Sequence, residues 1–260
     1  MKLSIIVPCY NEVDNISKLY SELLPVIIEL VRSGRNNIPI EIQSAEMIFV
    51  DDGSGDGTFN KLEEYFKTDN QSEVLFRFLR HETNLGLGAA IRTGFSNAVG
   101  DVLITVDSDG TYKFSEIPAL LSLLTPDVDI ITASPYHPQG GVIGVPAYRL
   151  FLSRGSSIIY RILVDWHVYT YTCLFRAYRA EVIKNTHFRS DGFLAGTEIL
   201  VKAMLRGYRV AEFPAVLYKR MFGVSKARIA QTIFSHLGFQ AWVLRYRIQL
   251  VIGLNPRQTS

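Results

Sequence analysis

Asp107-Ser108-Asp109 stands at the end of an apolar run, Val102-Leu-Ile-Thr-Val106, and is followed at once by Gly110. The run is rich in β-branched residues and reads as a buried strand, so the chain leaves the sheet where the two carboxylates begin. Carboxylates within a few ångströms of each other raise each other's pKa unless a cation joins them. Burying either one unpaired costs several kcal/mol. A hard divalent ion satisfies both, and Mg2+ commonly takes one or two carboxylates together with phosphate oxygens. The chemistry expected of this pair is therefore the holding of Mg2+ or Mn2+ and, through it, of a phosphorylated ligand; a solvated turn is the alternative.

The elements that must position the pair are legible around it. Residues 3–7, 46–50, 74–79 and 128–133 are further apolar runs of strand length, and apolar residues recur at helical spacing between them, as in Val13, Ile16, Leu19, Leu23 and Ile27, with Pro25 as a break or kink. Strands alternating with helices predict an α/β chain with a doubly wound, mostly parallel sheet, whose ligands bind beyond the carboxyl ends of the strands. Residues 8–12, 51–57, 84–88 and 107–109, polar and glycine-rich, all fall at such ends. Beyond residue 134 the pattern loosens: a turn-rich loop over 134–142, a helix over 149–163, an extended stretch over 169–178, a helix over 196–206 and a strand over 208–213.

With 260 residues, 48% apolar and 20% charged, the chain suits one large α/β domain or a core with a small appendage. The formal charge is only +2, but no acidic residue follows Glu212, while Lys219, Arg220, Lys226, Arg228, Arg245, Arg247 and Arg257 do. That asymmetry points to an anionic partner at the C-terminal end; nucleic acid is not expected. Cys9 and Cys173 are too few for a disulfide framework, which favours a reducing compartment. The N-terminus does not read as a signal peptide, and residues 229–244, interrupted by Gln231, His236 and Gln240, do not read as a membrane span.

Six landmarks then occur in order over roughly residues 3–226: Ile5-Ile-Val-Pro-Cys-Tyr-Asn-Glu12, Val50-Asp-Asp-Gly-Ser-Gly-Asp-Gly-Thr58, Asn84-Leu-Gly-Leu-Gly88, Asp107-Ser-Asp109, Phe175-Arg-Ala-Tyr-Arg179 and Arg220-Met-Phe-Gly-Val-Ser-Lys226. In these the chain resembles the family 2 glycosyltransferases of GT-A fold, most closely the dolichol- and polyprenyl-phosphate sugar transferases. The resemblance implies a donor site in which Pro8, Tyr10 and Glu12 line the pocket for base and ribose. Asp51 and Asp52 would accept hydrogen bonds from the base, and Gly86 and Gly88 would let a helix start approach the nucleotide. Asp107, Ser108 and Asp109 would form the donor and metal site, with Arg220 and Lys226 stabilising the departing diphosphate from a loop that closes over it.

The acceptor is read from what is missing. Many members acting on hydroxyls carry a Glu-Asp pair where Ala195-Gly196 stand here. A phosphate monoester needs no strong base, its second pKa being about 6; it needs cations, for which Arg149, Arg154 and Arg176 are the candidates. The chain departs from its nearest relatives at Thr170-Tyr-Thr-Cys-Leu-Phe175, which lacks their Asp and Gly, and at Thr111, where a Gln is frequent. The resemblance implies inverting, metal-dependent transfer of a hexose from GDP-mannose or UDP-glucose to a polyprenyl phosphate. The enzyme would be peripheral on the cytoplasmic membrane face, with a membrane-anchored subunit as a candidate partner. Transfer to a saccharide hydroxyl and a non-catalytic nucleotide-sugar-binding subunit are the alternatives. The expected organisation is a catalytic domain over 1–226, divided into a nucleotide-sugar half (1–133) and an acceptor half (134–226). A C-terminal amphipathic segment over 227–260 would either pack on the core or present Phe234, Leu237, Trp242 and Leu250 to lipid beside Arg245 and Arg247.

Overall fold

The computed structural model describes residues 1–33, 38–67, 73–220 and 229–253. Strand β1 (Lys2–Cys9) alternates its side chains between two cores: Leu3, Ile5 and Val7 enter one, Ile6 the other, and all four are fully buried. A helix follows, α1, running from Ile16–Lys18 through a π-helical turn at Leu19–Leu23 into Leu24–Ser33. The expected break at Pro25 is absent, because the proline sits directly after the π turn, where the ordinary i→i−4 ladder is already displaced.

The alternation then continues as β2 (Ser44–Asp51), α2 (Thr58–Phe66), β3 (Val74–Arg80), α3 (Leu87–Asn97), β4 (Val102–Thr105), α4 (Ile117–Leu121) and β5 (Ile130–Ser134). The remainder of the chain supplies β6 (Gly141–Ile143), α5 (Ala147–Leu163), β7 (Arg176–Arg179), α6 (Ala180–Asn185), α7 (Ala195–Leu205), β8 (Val210–Pro214), β9 (Val216–Tyr218) and α8 (Ile229–Val251). The main sheet has the order β3-β2-β1-β4-β7-β5-β8, and a ribbon pairs β6 with β9. The chain moves outward from β1 through β2 to β3 and then returns to β4 on the other side of β1. The carboxyl ends of β1 and β4 thus flank the switch point, the place where an open α/β sheet offers a crevice.

Two expectations for the second half are corrected. Of the stretch read as extended, only Arg176–Arg179 forms a strand, and it inserts antiparallel between β4 and β5. Residues 134–142 are not loop throughout, since β6 begins at Gly141 and pairs parallel with β9. Both features rest on pairings between segments distant in sequence, which local periodicity does not carry.

Helix α8 packs on α5. His236, Phe239, Gln240 and Val243 are buried there; Gln240 Nε2 donates to Ser156 Oγ at 3.3 Å, and His236 Nδ1 lies 3.1 Å from Ser156 Oγ and 3.3 Å from Tyr160 Oη. The outward faces stay apolar: Phe234, Leu237, Trp242 and Leu250 are exposed on α8, and Tyr148, Phe151, Ile158 and Ile162 on α5, with Phe151 79% exposed. Among the described residues no helix is long and apolar enough to cross a membrane.

Burial pushes His236 down to about 4 from an ordinary value near 6.5. As the pH falls through 6.5 the unfolded chain takes up this proton while the folded chain does not, so stability declines between pH 6.5 and 4. His236→Gln removes the titration; its melting temperature is expected to fall less than that of the wild type across that window. The difference should correspond to about 2–3 kcal/mol, read from thermal melts at matched pH.

Candidate functional site

The loop leaving β1 is fastened to the loop leaving β2. Asn11, with φ of 51°, accepts from Gly55 N at 2.9 Å, its own N–H donates to Ser54 Oγ at 2.8 Å, and Glu12 N donates to Thr58 Oγ1 at 2.8 Å. These contacts turn Glu12 inward, where Asn15 Nδ2 donates to Glu12 Oε2 at 2.6 Å. From the end of β4, Asp109 is turned into the same place and accepts Thr111 N at 3.0 Å. Arg220 arrives from beyond β9, a path fixed by Tyr218 N donating to Thr111 O at 2.9 Å. Its Nε donates to Asp109 Oδ2 at 2.6 Å and its Nη1 to Glu12 Oε1 at 3.2 Å.

These groups line a cavity of about 500 Å³. Of the residues singled out from sequence, Pro8, Tyr10, Glu12, Asp52, Gly86, Asp107, Ser108, Asp109, Arg149 and Arg220 form its wall. Lys226 lies outside the described residues. Asp51, Gly88, Arg154 and Arg176 are not on the wall. Asp51 is fully buried, with Oδ2 at 3.2 Å from Arg80 Nε. Arg176 is fully buried as well, its guanidinium donating to Thr132 Oγ1 at 2.9 Å, to Tyr171 O at 2.7 Å and to Gly196 O. This fully buried guanidinium, committed to three protein oxygens, ties β7 to its surroundings and is not presented to the cavity. Arg154 lies over the Tyr136 ring, 5.0 Å from its centroid.

The two glycines of the 84–88 loop also meet a neighbour the sequence reading does not name. Gly86 has φ of 105°, and a Cβ there would collide with Asp191 O; a Cβ at Gly88 would run into Ser190 O and come within 2.7 Å of Ala195 Cβ. What needs their small size is therefore the 190–191 backbone, with Gly88 N donating to Asp191 O at 2.6 Å. That backbone is in turn held by Glu198, which accepts Ser190 N at 2.9 Å and pairs with Lys202 at 2.7 Å. Asp52 braces the loop from the other side, accepting Leu85 N at 2.9 Å and Gly86 N at 2.8 Å and standing 2.6 Å from His81 Nδ1. Sequence reasoning missed His81, whose Nε2 lies 2.9 Å from Thr93 Oγ1. It also missed Ser153, one helical turn beyond Arg149 on the cavity face of α5; the i, i+4 spacing of those two was the available signal.

The electrostatics of the cavity call for a cation. Burial, and after it the field of Asp109, raises Asp107 to about 7; Arg220 opposes the rise and Glu12 adds to it. Desolvation would lower the Arg220 pKa, but Asp109 and Glu12 outweigh it and hold the guanidinium more firmly charged than usual. The available donors are hard carboxylate oxygens, which fit Mg2+ or Mn2+ and leave the remaining positions of a six-coordinate ion to water or phosphate. Among the described residues no group of three His, Cys, Asp or Glu side chains forms a closed cage. Cys9 and Cys173 lie on the wall, but burial raises both thiols, Cys173 to about 12, so neither is a thiolate nucleophile.

Comparison with known proteins places this geometry. Residues 4–186 match the model of glycosyl transferase family 2. The chain is 31% identical over 239 residues to a dolichol-phosphate mannosyltransferase of Pyrococcus furiosus, covering 91% of this chain and 62% of that protein, so it spans under two thirds of that relative's length. It is 29% identical over 260 residues to the polyprenol monophosphomannose synthase of Mycolicibacterium smegmatis, covering 96% of this chain and 90% of that one. Among solved structures, glucosyl-3-phosphoglycerate synthase from Mycobacterium tuberculosis, crystallised with Mn2+, UDP and glucosyl-3-phosphoglycerate, superposes with a TM-score of 0.64 at 15% identity, over 92% of this chain and 79% of that one. The shared fold is GT-A.

Two outcomes are expected. Gly88→Ala destabilises the protein by about 1–3 kcal/mol or more, because rigid backbone meets the new methyl, whereas Gly155→Ala, with nothing within 4 Å of the added carbon, is neutral or stabilising; thermal melts separate them. If Asp107 is a cation ligand, saturating the site with Mn2+ at high concentration would release about one proton at pH 6 and almost none at pH 8, because Asp107, raised to about 7, must ionise to ligate. Titration calorimetry in buffers of different ionisation enthalpy reads this release, which Asp107→Asn abolishes.

Proposed function

Starting from a chain that belongs to glycosyl transferase family 2 and is a glycosyltransferase, we propose that it moves a hexose from a nucleotide diphosphate sugar to a polyprenyl phosphate, with inversion at the anomeric carbon. The observation that carries the reading is the state of the carboxylates on the cavity wall. Among the described lining residues these are Glu12, Asp52, Asp107 and Asp109. Glu12 and Asp109 are tied to Arg220, Asp52 to the 85–86 backbone and His81, and Asp107 sits beside Asp109 at the proposed cation. A hydroxyl acceptor would need a general base, and the described wall has no histidine and no carboxylate apart from these four. A phosphate monoester supplies its own nucleophilic oxygen, being mostly dianionic above its second pKa of about 6.

In this reading the nucleotide occupies the crevice between the ends of β1 and β4, with Tyr10 and Pro8 against the base and ribose. A divalent cation on Asp107 and Asp109 would neutralise charge developing on the diphosphate. Arg220 grips the same diphosphate from the opposite side, and Lys226 would join it. The lipid phosphate rests against Arg149, aided by Ser153, and its oxygen attacks the anomeric carbon in line. The new carbon–oxygen bond forms as the bond to the diphosphate breaks, the diphosphate leaves with the electron pair, and no proton need move. No carboxylate or thiolate stands ready for a double displacement, which favours inversion.

The outer face of α5 supports the lipid. Arg149, Leu150 and Ser153 look into the cavity, while Tyr148, Phe151, Ile158 and Ile162 form an exposed apolar stripe on the same helix. We infer that this stripe, with the exposed face of α8, rests on the membrane and makes the protein peripheral. GDP-mannose is the preferred donor, because the named relatives are mannose transferases.

A radiolabelled assay with GDP-mannose or UDP-glucose, Mn2+ or Mg2+ and polyprenyl phosphate in detergent tests the whole reading. The expected product is extracted into chloroform, is labile to mild acid and is lost with EDTA. Asp109→Asn lowers kcat at least about a hundredfold, on the scale of removing a leading electrostatic contact. Arg149→Ala raises KM for the lipid phosphate about tenfold or more without moving KM for the donor. Label appearing only on a saccharide hydroxyl, in acid-stable form, would overturn the acceptor.

A further inference from the structure

Arg220 does more in this structure than wait for a diphosphate. Its guanidinium spans two carboxylates delivered by different strand ends, Asp109 at 2.6 Å and Glu12 at 3.2 Å. Both carboxylate side chains are only 6% exposed, against 23% for Arg220. Their other oxygens are engaged too, Glu12 Oε2 by Asn15 and Asp109 Oδ1 by Thr111 N. A free divalent ion approaching Asp107 and Asp109 therefore meets an Asp109 whose two oxygens already accept hydrogen bonds, one of them charge-assisted. To use Asp109 fully the ion must displace the guanidinium, and a dication then stands beside a half-buried positive charge that has given up its Asp109 contact. A bound diphosphate changes that balance, because it offers the guanidinium fork a doubly hydrogen-bonded anion in exchange.

We propose that Arg220 is a parked internal cation: it neutralises Asp109 and Glu12 while no diphosphate is bound, and it surrenders Asp109 to the divalent ion when a diphosphate draws it away. Glu12 is the positioning residue that keeps Arg220 in its parked place. The site then takes cation and nucleotide diphosphate cooperatively, each strengthening the other by the same factor as linkage requires, and holds a free cation poorly. The inference rests on the reading that Asp107 and Asp109 hold the cation, and adds how that site is kept closed to the ion alone.

The test is Mn2+ binding followed by the electron paramagnetic resonance signal of free aquated Mn2+. Wild type, Arg220→Met and Arg220→Lys are compared with Mn2+ alone and with GDP or UDP added, protein-free nucleotide serving as the blank. Arg220→Met is expected to bind Mn2+ alone about tenfold more tightly than the wild type. Nucleotide should strengthen Mn2+ binding by a factor about tenfold larger in the wild type than in Arg220→Met. Arg220→Lys keeps the charge but cannot bridge two carboxylates as a fork, so it should fall between the wild type and Arg220→Met; melting curves confirm that all three proteins are folded. Equal affinity of wild type and Arg220→Met for Mn2+ alone overturns the proposal. So does a lysine variant indistinguishable from wild type, which would reduce the effect to net charge. If Mn2+ binds in those experiments but Asp109→Asn does not weaken it, the cation-site reading itself fails. No Mn2+ binding to any of the proteins, with or without nucleotide, overturns both.

Discussion

Three carboxylates, Glu12, Asp107 and Asp109, are forced together where β1 and β4 end, and the rest of the site follows from that crowding. The sheet leaves no alternative, because β1 and β4 are hydrogen-bonded neighbours whose carboxyl ends flank the switch in strand order. Their mutual repulsion appears in Asp107, held near 7 by burial and by Asp109. Such a cluster is tolerable only with positive charge beside it. The structure meets that need from the far end of the chain, with Arg220 carried in on β9 and the Tyr218–Thr111 hydrogen bond. The crevice is thus a charge balance, met in this structure by Arg220.

Around that centre lies a tier of residues that set where the wall stands. Lys202 holds Glu198, Glu198 holds Ser190, and the 190–191 backbone packs on Gly86 and Gly88. Asp52 and His81 fix the same loop from the β2 side. Glu198 comes close in sequence to the position where a hydroxyl-specific base would stand, yet its oxygens are spent on backbone amides and a lysine. Its place in this chain is architectural, which is consistent with chemistry that requires no base.

How much of this could be read from the sequence depended on whether a role was local. Asp107 and Asp109 were legible because a β-branched run followed by carboxylates and glycine describes a strand end without help from elsewhere. Asp51 and Asp52 show the limit: adjacent residues at a strand end point to opposite sides, and nothing in the sequence says which side is the cavity. Arg176 was read as a ligand for phosphate because a phosphate acceptor needs cations and the second half of the chain offers arginines. Its partners are carbonyls of Tyr171 and Gly196 and the hydroxyl of Thr132, contacts that exist only once β7 has inserted between β4 and β5. That insertion was itself invisible, since an antiparallel strand has the same local pattern as a parallel one.

If the acceptor is a lipid phosphate, as proposed, the second half of the chain meets a different constraint, that of joining a water-filled crevice to a substrate that lives in lipid. Helix α5 does this with one periodicity. Arg149 and Ser153, a turn apart, face the cavity, and Tyr148, Phe151, Ile158 and Ile162 follow the opposite stripe into solvent. Such a stripe destabilises nothing in the fold but is out of place on a purely aqueous surface. Burying it in a headgroup region would set α5, and Arg149 with it, against the membrane surface. Helix α8 widens the same platform and is locked to α5 through Ser156, Tyr160, His236 and Gln240. Polar contacts on the inner side of that pair leave its apolar residues to face outward, so the geometry that stabilises the junction also presents a continuous apolar surface.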